Sequence, residues 1–482
     1  MSKILKQRKK QSKSKRQAPP PNLKLVNVSQ ALENKGQAQH ATTEIEGRLS
    51  EITERLSKLY PKSIDLSLER IERFLAQVDN PHLSLPSVIH VAGTNGKGST
   101  IAYLRSIIEA SGLRAHATIS PHLINFNERI LINGEPISTP DLMALLDECD
   151  RVNAGAPITY FEIAMAATFM AFARTESDFT LLETGLGGRL DATNVVPDPA
   201  ACIITTIGYD HMDYLGNSLP DIAKQKCGIM KKGRPCVVAP QTGEAIREGV
   251  LDTIKSEASR IGARLYLYGR DWFVEETPFG FRLSHSWGIE DFPFPTLTGR
   301  HQINNAAATI VAMRVIENER SEDLFRHSAI CKGIASTKWP GRLQKIDVSD
   351  LPVPASCEVW IDGGHNENAA LILNDQIGGW KRESKDKVII VLGMLSRKDP
   401  VKFVEKFSDA IDEVICIPVP HEPSSFDTGT LSGLLKDAFP ELPVSEAQTA
   451  DAALTMIKDE KARILITGSL YLIGDFLKNH PA

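Results

Sequence analysis

The densest concentration of chemically suggestive residues is Gly93-Thr94-Asn95-Gly96-Lys97-Gly98-Ser99-Thr100. An apolar run, Ser87–Ala92, precedes it and reads as a buried strand; a helical pattern, Ile101–Ala110, follows, with Gly112 as its stop. Strand, glycine loop and helix together aim backbone N–H groups and the positive end of a helix at one anion. Lys97 adds a point charge for the β- and γ-phosphates of a nucleotide. The spacing departs from G-x-x-x-x-G-K-S/T, because the leading glycine is closer and Gly98 stands between Lys97 and Ser99. Ordinary kinases and GTPases are therefore poor matches, while the context favours nucleotide binding over a purely structural turn.

Further candidates sit where apolar runs end. Phe179–Leu182 leads into Glu183, then Thr184-Gly185-Leu186-Gly187-Gly188-Arg189-Leu190-Asp191-Ala192-Thr193-Asn194. A carboxylate at the C-terminal end of a parallel strand faces the ligand crevice. Mg²⁺ prefers oxygen ligands completed by phosphate and water, so Glu183 is a natural ligand. Ala201–Thr206 leads similarly into Asp210-His211. Histidine is an unusual magnesium ligand, and on its own His211 reads more simply as a hydrogen-bonded loop residue. Lys226, taken alone, is one charge on a solvated helix face. Ser120, before Pro121, lacks the G-x-S-x-G setting of a nucleophilic serine.

The elements that must position these residues alternate. Short apolar runs, each followed by a polar or glycine-rich turn and a helical stretch, argue for a mainly parallel sheet covered by helices. Residues 234–292 differ: Arg264–Tyr268, Trp272–Glu275 and Phe281–Ser284 read as short strands of a β-rich section. Helical pattern returns at Asn304–Glu317, and Trp339-Pro340-Gly341-Arg342 interrupts it. The alternation then restarts with Glu358–Ile361, Lys387–Leu392, Glu413–Ile417 and Arg463–Thr467. The expected fold is α/β: an N-terminal P-loop-type, mainly parallel sheet domain with a small β-rich section, plus a smaller C-terminal Rossmann-like domain. Residues 1–42 are expected to be a disordered basic tail, 43–342 the nucleotide-binding domain, and 343–482 the C-terminal domain, with helical patterns at Ile45–Leu59 and Leu66–Val78.

Composition narrows the class. A chain of 482 residues exceeds one ordinary core, so two domains are expected. The net charge of −5 speaks against a nucleic-acid partner. Seven scattered cysteines without a CxxC pair disfavour structural zinc and fit a reducing, cytoplasmic compartment. No apolar run reaches membrane-spanning length, and the Lys-rich start has no apolar h-region.

Taken in order, Gly93–Ser99, Ser120-Pro121-His122-Leu123, Phe126-Asn127-Glu128-Arg129, Glu183–Asn194 and Gly468-Ser469-Leu470-Tyr471 resemble the bacterial dihydrofolate synthase/folylpolyglutamate synthases of the Mur ligase superfamily. The resemblance runs from about residue 45 to the C-terminus. It implies ATP and two Mg²⁺ ions as cofactors, with Ser120, Glu183, His211 and Lys226 as metal ligands and Ser99 or Thr100 near the phosphates. Lys226 matches a lysine that family members carry as a carbamate, formed when a neutral amine captures CO₂. Asn305, Arg342, Asp362 and His365 fall in motifs that hold ATP across an interdomain cleft, and His301-Gln302 fits that pattern. Thr159, Phe161, Leu190, Asp191 and Ala192 match pterin-binding segments; Asp191 could accept from a 2-amino-pyrimidinone edge and Phe161 offer a stacking face, against the simpler readings of a loop-capping Asp and a core aromatic.

The implied activity is ligation of L-glutamate to dihydropteroate or folate through an acyl phosphate, by a monomer with no nucleic-acid or membrane partner. Lys97, Lys226 and His365 are the expected catalytic residues. The alternatives are a UDP-muramoyl amino-acid ligase of the same superfamily, a nucleotide-switch ATPase without ligase activity, and a catalytically silent binding scaffold.

Overall fold

In the computed structural model, residues 65–459 and 461–481 are described. The expected basic tail and the helical pattern Ile45–Leu59 lie outside them. Of the pattern Leu66–Val78, a helix covers Glu69–Gln77.

The larger sheet contains β1 (Val88–Ala92), β2 (Ala115–Thr118), β3 (Ile130–Ile132), β4 (Glu135–Pro136), β5 (Phe179–Glu183), β6 (Ala201–Ile204), β7 (Pro235–Val238) and β8 (Arg264–Leu267). Their order is β4-β3-β2-β5-β1-β6-β7-β8. Only β3 and β4 run antiparallel to their neighbours. Every residue of β1 and β5 is buried, because helices cover both faces. On one face, Ile101, Leu104 and Ile107 of helix Lys97–Ala110 pack with Ile303, Ile310 and Val311 of helix His301–Arg320. On the other, Ile222 of helix Leu219–Cys227 and Ile254 of helix Val250–Ile261 pack against Cys202 and Ile204 of β6. The order reverses around β1, flanked by β5 and β6, which is where α/β sheets open a ligand crevice at the strand C-termini.

The expected β-rich section is present, but one of its three expected strands lies elsewhere. The run Arg264–Tyr268 supplies β8, which pairs in parallel with β7 as the edge of the large sheet. The intervening helix Val250–Ile261 makes a βαβ crossover, and that topology decides the partner. The separate sheet holds β9 (Trp272–Thr277), β10 (Gly280–His285) and β11 (Gly288–Pro293), an antiparallel meander.

A second large sheet follows: β12 (Gln344–Ile346), β13 (Glu358–Ile361), β14 (Lys387–Leu392), β15 (Glu413–Cys416), β16 (Val444–Glu446) and β17 (Ala462–Thr467), ordered β12-β13-β17-β14-β15-β16. Its strands are parallel except β12. Helix Glu367–Glu383 covers one face and helix Leu470–Asn479 the other. The chain passes between the sheets through Trp339–Leu343, where Gly341 has φ +74°. All seven cysteines are free, six of them buried. Among the described residues no helix is long and apolar enough to cross a membrane.

Candidate active site

The phosphate loop leaves the C-terminal end of β1 and enters helix Lys97–Ala110. Gly96 caps that helix at φ +90°, and a Cβ there would lie 2.7 Å from Asn305 Oδ1. The segment that follows β6 pins the loop. Thr94 N donates to Thr206 O at 2.9 Å, Thr94 Oγ1 to Gly208 O at 3.0 Å, and Thr205 Oγ1 to Asn95 O at 2.7 Å. Lys97 Nζ folds back onto the carbonyls of Gly93 and Thr94, both at 3.1 Å. Ser99 Oγ accepts from Gln302 Nε2 at 3.3 Å, and Gln302 Oε1 accepts from Asn305 Nδ2 at 3.1 Å.

A cavity of about 170 Å³ lies above this loop. From the first sheet it receives Ser120, Glu183, His211 and Lys226; from the second, Arg342, Asp362 and His365. Lys226 is buried, with 4% of its surface exposed, so the sequence reading of a solvated helix charge is wrong. Its Nζ donates to Gly93 O at 2.8 Å, a carbonyl it shares with Lys97. Burial and the neighbouring Lys97 ammonium push the Lys226 amine down to about 7. Burial also pushes Lys97 down, against the pull of Glu183 and Asp210. Glu183 is pushed up by burial while Lys97 draws it back; Ser120 N donates to its carboxylate at 3.4 Å.

Asp210 is the hub of the charge network. Lys398 Nζ binds one carboxylate oxygen, and Asn366 Nδ2 donates to the other at 3.0 Å. His211 and His365 lie 3.8 and 3.7 Å away. Burial pushes the Asp210 carboxyl up, but His365, His211 and Lys398 outweigh it and hold it well below the usual carboxylate range. Burial pushes His211 down to about 4, leaving a neutral imidazole. Asn366 also exchanges hydrogen bonds with Asn95 of the phosphate loop, at 3.0 and 3.2 Å. The loop is thereby tied to the second sheet.

Among the described residues no three His, Cys, Asp or Glu side chains converge on a metal position. The candidate ligands offer one carboxylate, one hydroxyl, one neutral imidazole and one amine. That incomplete set fits a magnesium ion finished by phosphate oxygens and water rather than a closed protein cage. Arg342 faces the cavity and makes no ion pair among the described residues, so it suits a polyphosphate.

A second cavity of about 260 Å³ adjoins the first, sharing Ser120, Gly185, Leu186 and His211. Thr159, Phe161, Leu190, Asp191 and Ala192 line it. The Phe161 ring sits so close to Gly185 that a Cβ there would lie 2.6 Å away. Thr159 caps helix Tyr160–Arg174, accepting from Glu162 N at 3.2 Å. Asp191 accepts from Leu186 N at 2.8 Å, Thr193 N at 3.0 Å and the Thr193 hydroxyl. The loop-capping reading of Asp191 is thus realised in full, while the same residue forms cavity wall.

The Mur ligase middle domain family matches residues 91–313. The dihydrofolate synthase/folylpolyglutamate synthase of Bacillus subtilis (strain 168) is 33% identical over 429 residues, covering 85% of this chain and 94% of its own. The chain belongs to this family. The structure "E.coli FolC in complex with DHPP and ADP" shares 30% identity at a TM-score of 0.77, covering 89% of this chain and 97% of its own. A bifunctional folylpolyglutamate synthase/dihydrofolate synthase solved with Mn, AMPPNP and L-glutamate bound shares 27% identity at a TM-score of 0.76, covering 89% and 97%. The chain is accordingly an ATP-dependent, amide-forming ligase that works with a divalent metal ion.

Within the ligase, most expected site residues meet. Gly93 to Ser99, Asn305, Arg342, Asp362 and His365 line the first cavity with the four candidate metal ligands. Thr100 does not; it is fully buried behind the loop, its hydroxyl without a partner. Asp362 lies in the cavity wall, but its carboxylate accepts from Leu343 N at 2.9 Å and Gly364 N at 2.7 Å, so part of its role is to shape the second sheet's edge. Sequence reasoning did not single out Asn366 or Lys398. Asn366 follows His365 directly and caps helix Glu367–Glu383, a local signal that could have flagged it. Lys398 carries no local signal, since its partner is 188 positions away.

Proposed function

We propose that this ligase joins L-glutamate to dihydropteroate and to folate-type acids, in both cases by way of an acyl phosphate. The observation that carries the reading is the junction of the two cavities at Ser120, Gly185, Leu186 and His211. An acid whose ring occupies the Phe161 cavity can present its carboxylate at that junction, facing a nucleotide γ-phosphate above the Gly93–Thr100 loop.

The carboxylate oxygen attacks the γ-phosphorus, the bond to the β–γ bridging oxygen breaks, and ADP leaves. The free α-amine of glutamate then attacks the acyl carbon, the carbon–oxygen bond to phosphate breaks, and inorganic phosphate departs as the nitrogen loses a proton. A bare carboxylate is a poor electrophile, which is why the phosphoryl step comes first. The protein contributes positioning and charge. Lys97 sits beside the transferred group, while Arg342 and His365 align the phosphates from the second sheet. Asn305 steadies the loop against helix His301–Arg320. Asp191, Thr159, Leu190 and Ala192 shape the ring site around Phe161.

Ser120, Glu183 and His211 would hold one Mg²⁺ ion, and Lys226 as a carbamate a second; the ions supply charge neutralisation for the phosphoryl group. The amine captures CO₂ and releases one proton in becoming that carbamate. We take Trp339–Leu343 as the boundary between nucleotide-binding and C-terminal domains, and the active unit as a cytoplasmic monomer with no nucleic-acid or membrane partner.

The test is phosphate release from MgATP with dihydropteroate or tetrahydrofolate, each offered with and without L-glutamate. Release that requires both an acid and glutamate is expected with either pterin compound. Release indifferent to both would leave a bare ATPase, and a strict preference for a UDP-muramoyl acid would move the ligase to the cell-wall branch.

A further inference from the structure

Arg397 lines the ring cavity from the second sheet, in the turn after β14, and takes no part in the phosphate cavity. The turn is well anchored. Ser396 N donates to Ser424 O at 2.7 Å, Lys398 N to Leu395 O at 2.9 Å, and the Lys398 ammonium to Asp210. An exposed side chain is thus held over the cavity by a fixed backbone.

The other charged groups lining that cavity are already satisfied. Asp65 and Glu162 are both bound by Arg70, at 2.8 and 3.0 Å, and Asp191 is consumed within its own loop. Among the charged residues described in this lining, Asp65 and Glu162 have an ion-pair partner and Asp191 has hydrogen-bond partners, whereas Arg397 has neither. The cavity therefore offers one uncommitted cation, a planar guanidinium suited to a carboxylate.

On the proposed reading of the site, a glutamylated substrate carries two carboxylates at its end. The reacting one must face the phosphate cavity, which Arg397 does not reach; a guanidinium bound there would also quench the nucleophile. We infer that Arg397 is a specificity-determining residue, pairing with the non-reacting α-carboxylate of a glutamylated pterin acid. Pteroate has no such group and gains nothing from Arg397. The inference rests on the folate–glutamate reading and adds to it a basis for preferring substrates already glutamylated.

Isothermal titration of the full chain with pteroylglutamate and with pteroate, in the presence of ADP and Mg²⁺, tests this. Arg397→Ala is expected to weaken pteroylglutamate about fivefold, the size of an exposed ion pair, and to leave pteroate unchanged. Arg397→Lys, which keeps the charge but not the fork, should fall between. Equal weakening of both acids, or no change in either, would overturn the assignment. Wild-type protein that binds neither acid overturns it together with the functional reading. Wild-type protein that ligates glutamate to pteroylglutamate, with Arg397→Ala indistinguishable in affinity, overturns this assignment alone.

Discussion

Replacing Lys226 by arginine separates a carbamate from a simple charge. The amine is buried, is held at Gly93 O, and is pushed down to about 7 from an ordinary value of 10.5. That difference amounts to roughly 5 kcal/mol of disfavoured charging. At pH 8, about nine-tenths of such amines are neutral, against well under one per cent of ordinary lysines, so the fraction able to capture CO₂ rises on the order of a hundredfold. Arginine keeps a cation at the site but cannot lose its proton and cannot form the carbamate. Turnover of Lys226→Arg should therefore fall as far as that of Lys226→Met, by about a hundredfold or more, while ADP affinity stays within several-fold. The assay is steady-state phosphate release in CO₂-depleted buffer, before and after adding bicarbonate, with ADP titration as the control for folding. Wild-type activity should rise with bicarbonate, and it should increase with pH through about 7 as the amine deprotonates. Two outcomes refute the reasoning: Lys226→Arg retaining most of its turnover, or wild-type activity indifferent to CO₂. Either would return Lys226 to the role of a fixed positive charge under the loop.

Gly96→Ala forces a Cβ to within 2.7 Å of Asn305 Oδ1 at a φ of +90°, so it should destabilise the protein by about 1–3 kcal/mol and weaken ADP binding; calorimetric unfolding and ADP titration measure both. Arg342→Ala removes an unpaired cation from the phosphate cavity and should lower kcat about a hundredfold, whereas full retained activity would contradict its phosphate role. His90 is fully buried against Thr193 Oγ1 at 2.8 Å and is pushed down to about 3 by burial and Lys231, so it stays neutral when folded but protonates near 6.5 when unfolded. Its contribution to stability is present above pH 6.5 and is lost as pH falls toward 3, at about 1.4 kcal/mol per unit; thermal melts of His90→Gln from pH 7 to 4 should show a shallower decline than wild type.

Much of this was legible in the sequence because it is local. The runs that became β1 and β5 are apolar on both faces, which a strand between two helical layers requires. The phosphate loop and Glu183 stood out because each follows directly on such a run. β2 did not stand out: Ala115–Thr118 is short and half polar, and His116 and Thr118 are buried in it. His116 is accommodated by stacking on Phe172 at 4.8 Å and by contact with Thr175 O, partners supplied only by the tertiary fold. The sequence places a strand at Arg264–Tyr268 but in the wrong sheet, because the crossover helix decides which sheet receives it. The reading of Lys226 as solvated failed for the same reason. A lysine on a helix carries no local mark of what that helix packs against.

The network around Asp210 bears on how closure and catalysis are joined. The loop that receives the phosphates is built entirely on the first sheet, yet Arg342, His365 and Lys398 come from the other side of the cavity. Several contacts already hold the sides together: Asn95 with Asn366, and Asp210 with Lys398, Asn366 and His365. None gives Arg342 a partner. A triphosphate lying on the loop would supply one, so nucleotide binding should favour the arrangement in which both sheets engage the phosphates. These satisfied contacts make that arrangement accessible without nucleotide, and the unpaired guanidinium leaves it incomplete. On the proposed mechanism this couples acid activation to closure, because the carboxylate at the cavity junction meets an aligned γ-phosphate only when Arg342 and His365 are in place. Breaking Asp210–Lys398 should then raise the KM for ATP more than it lowers the affinity for pteroate, which does not engage the Arg397 turn, since the rest of the ring cavity is built from the first half of the chain.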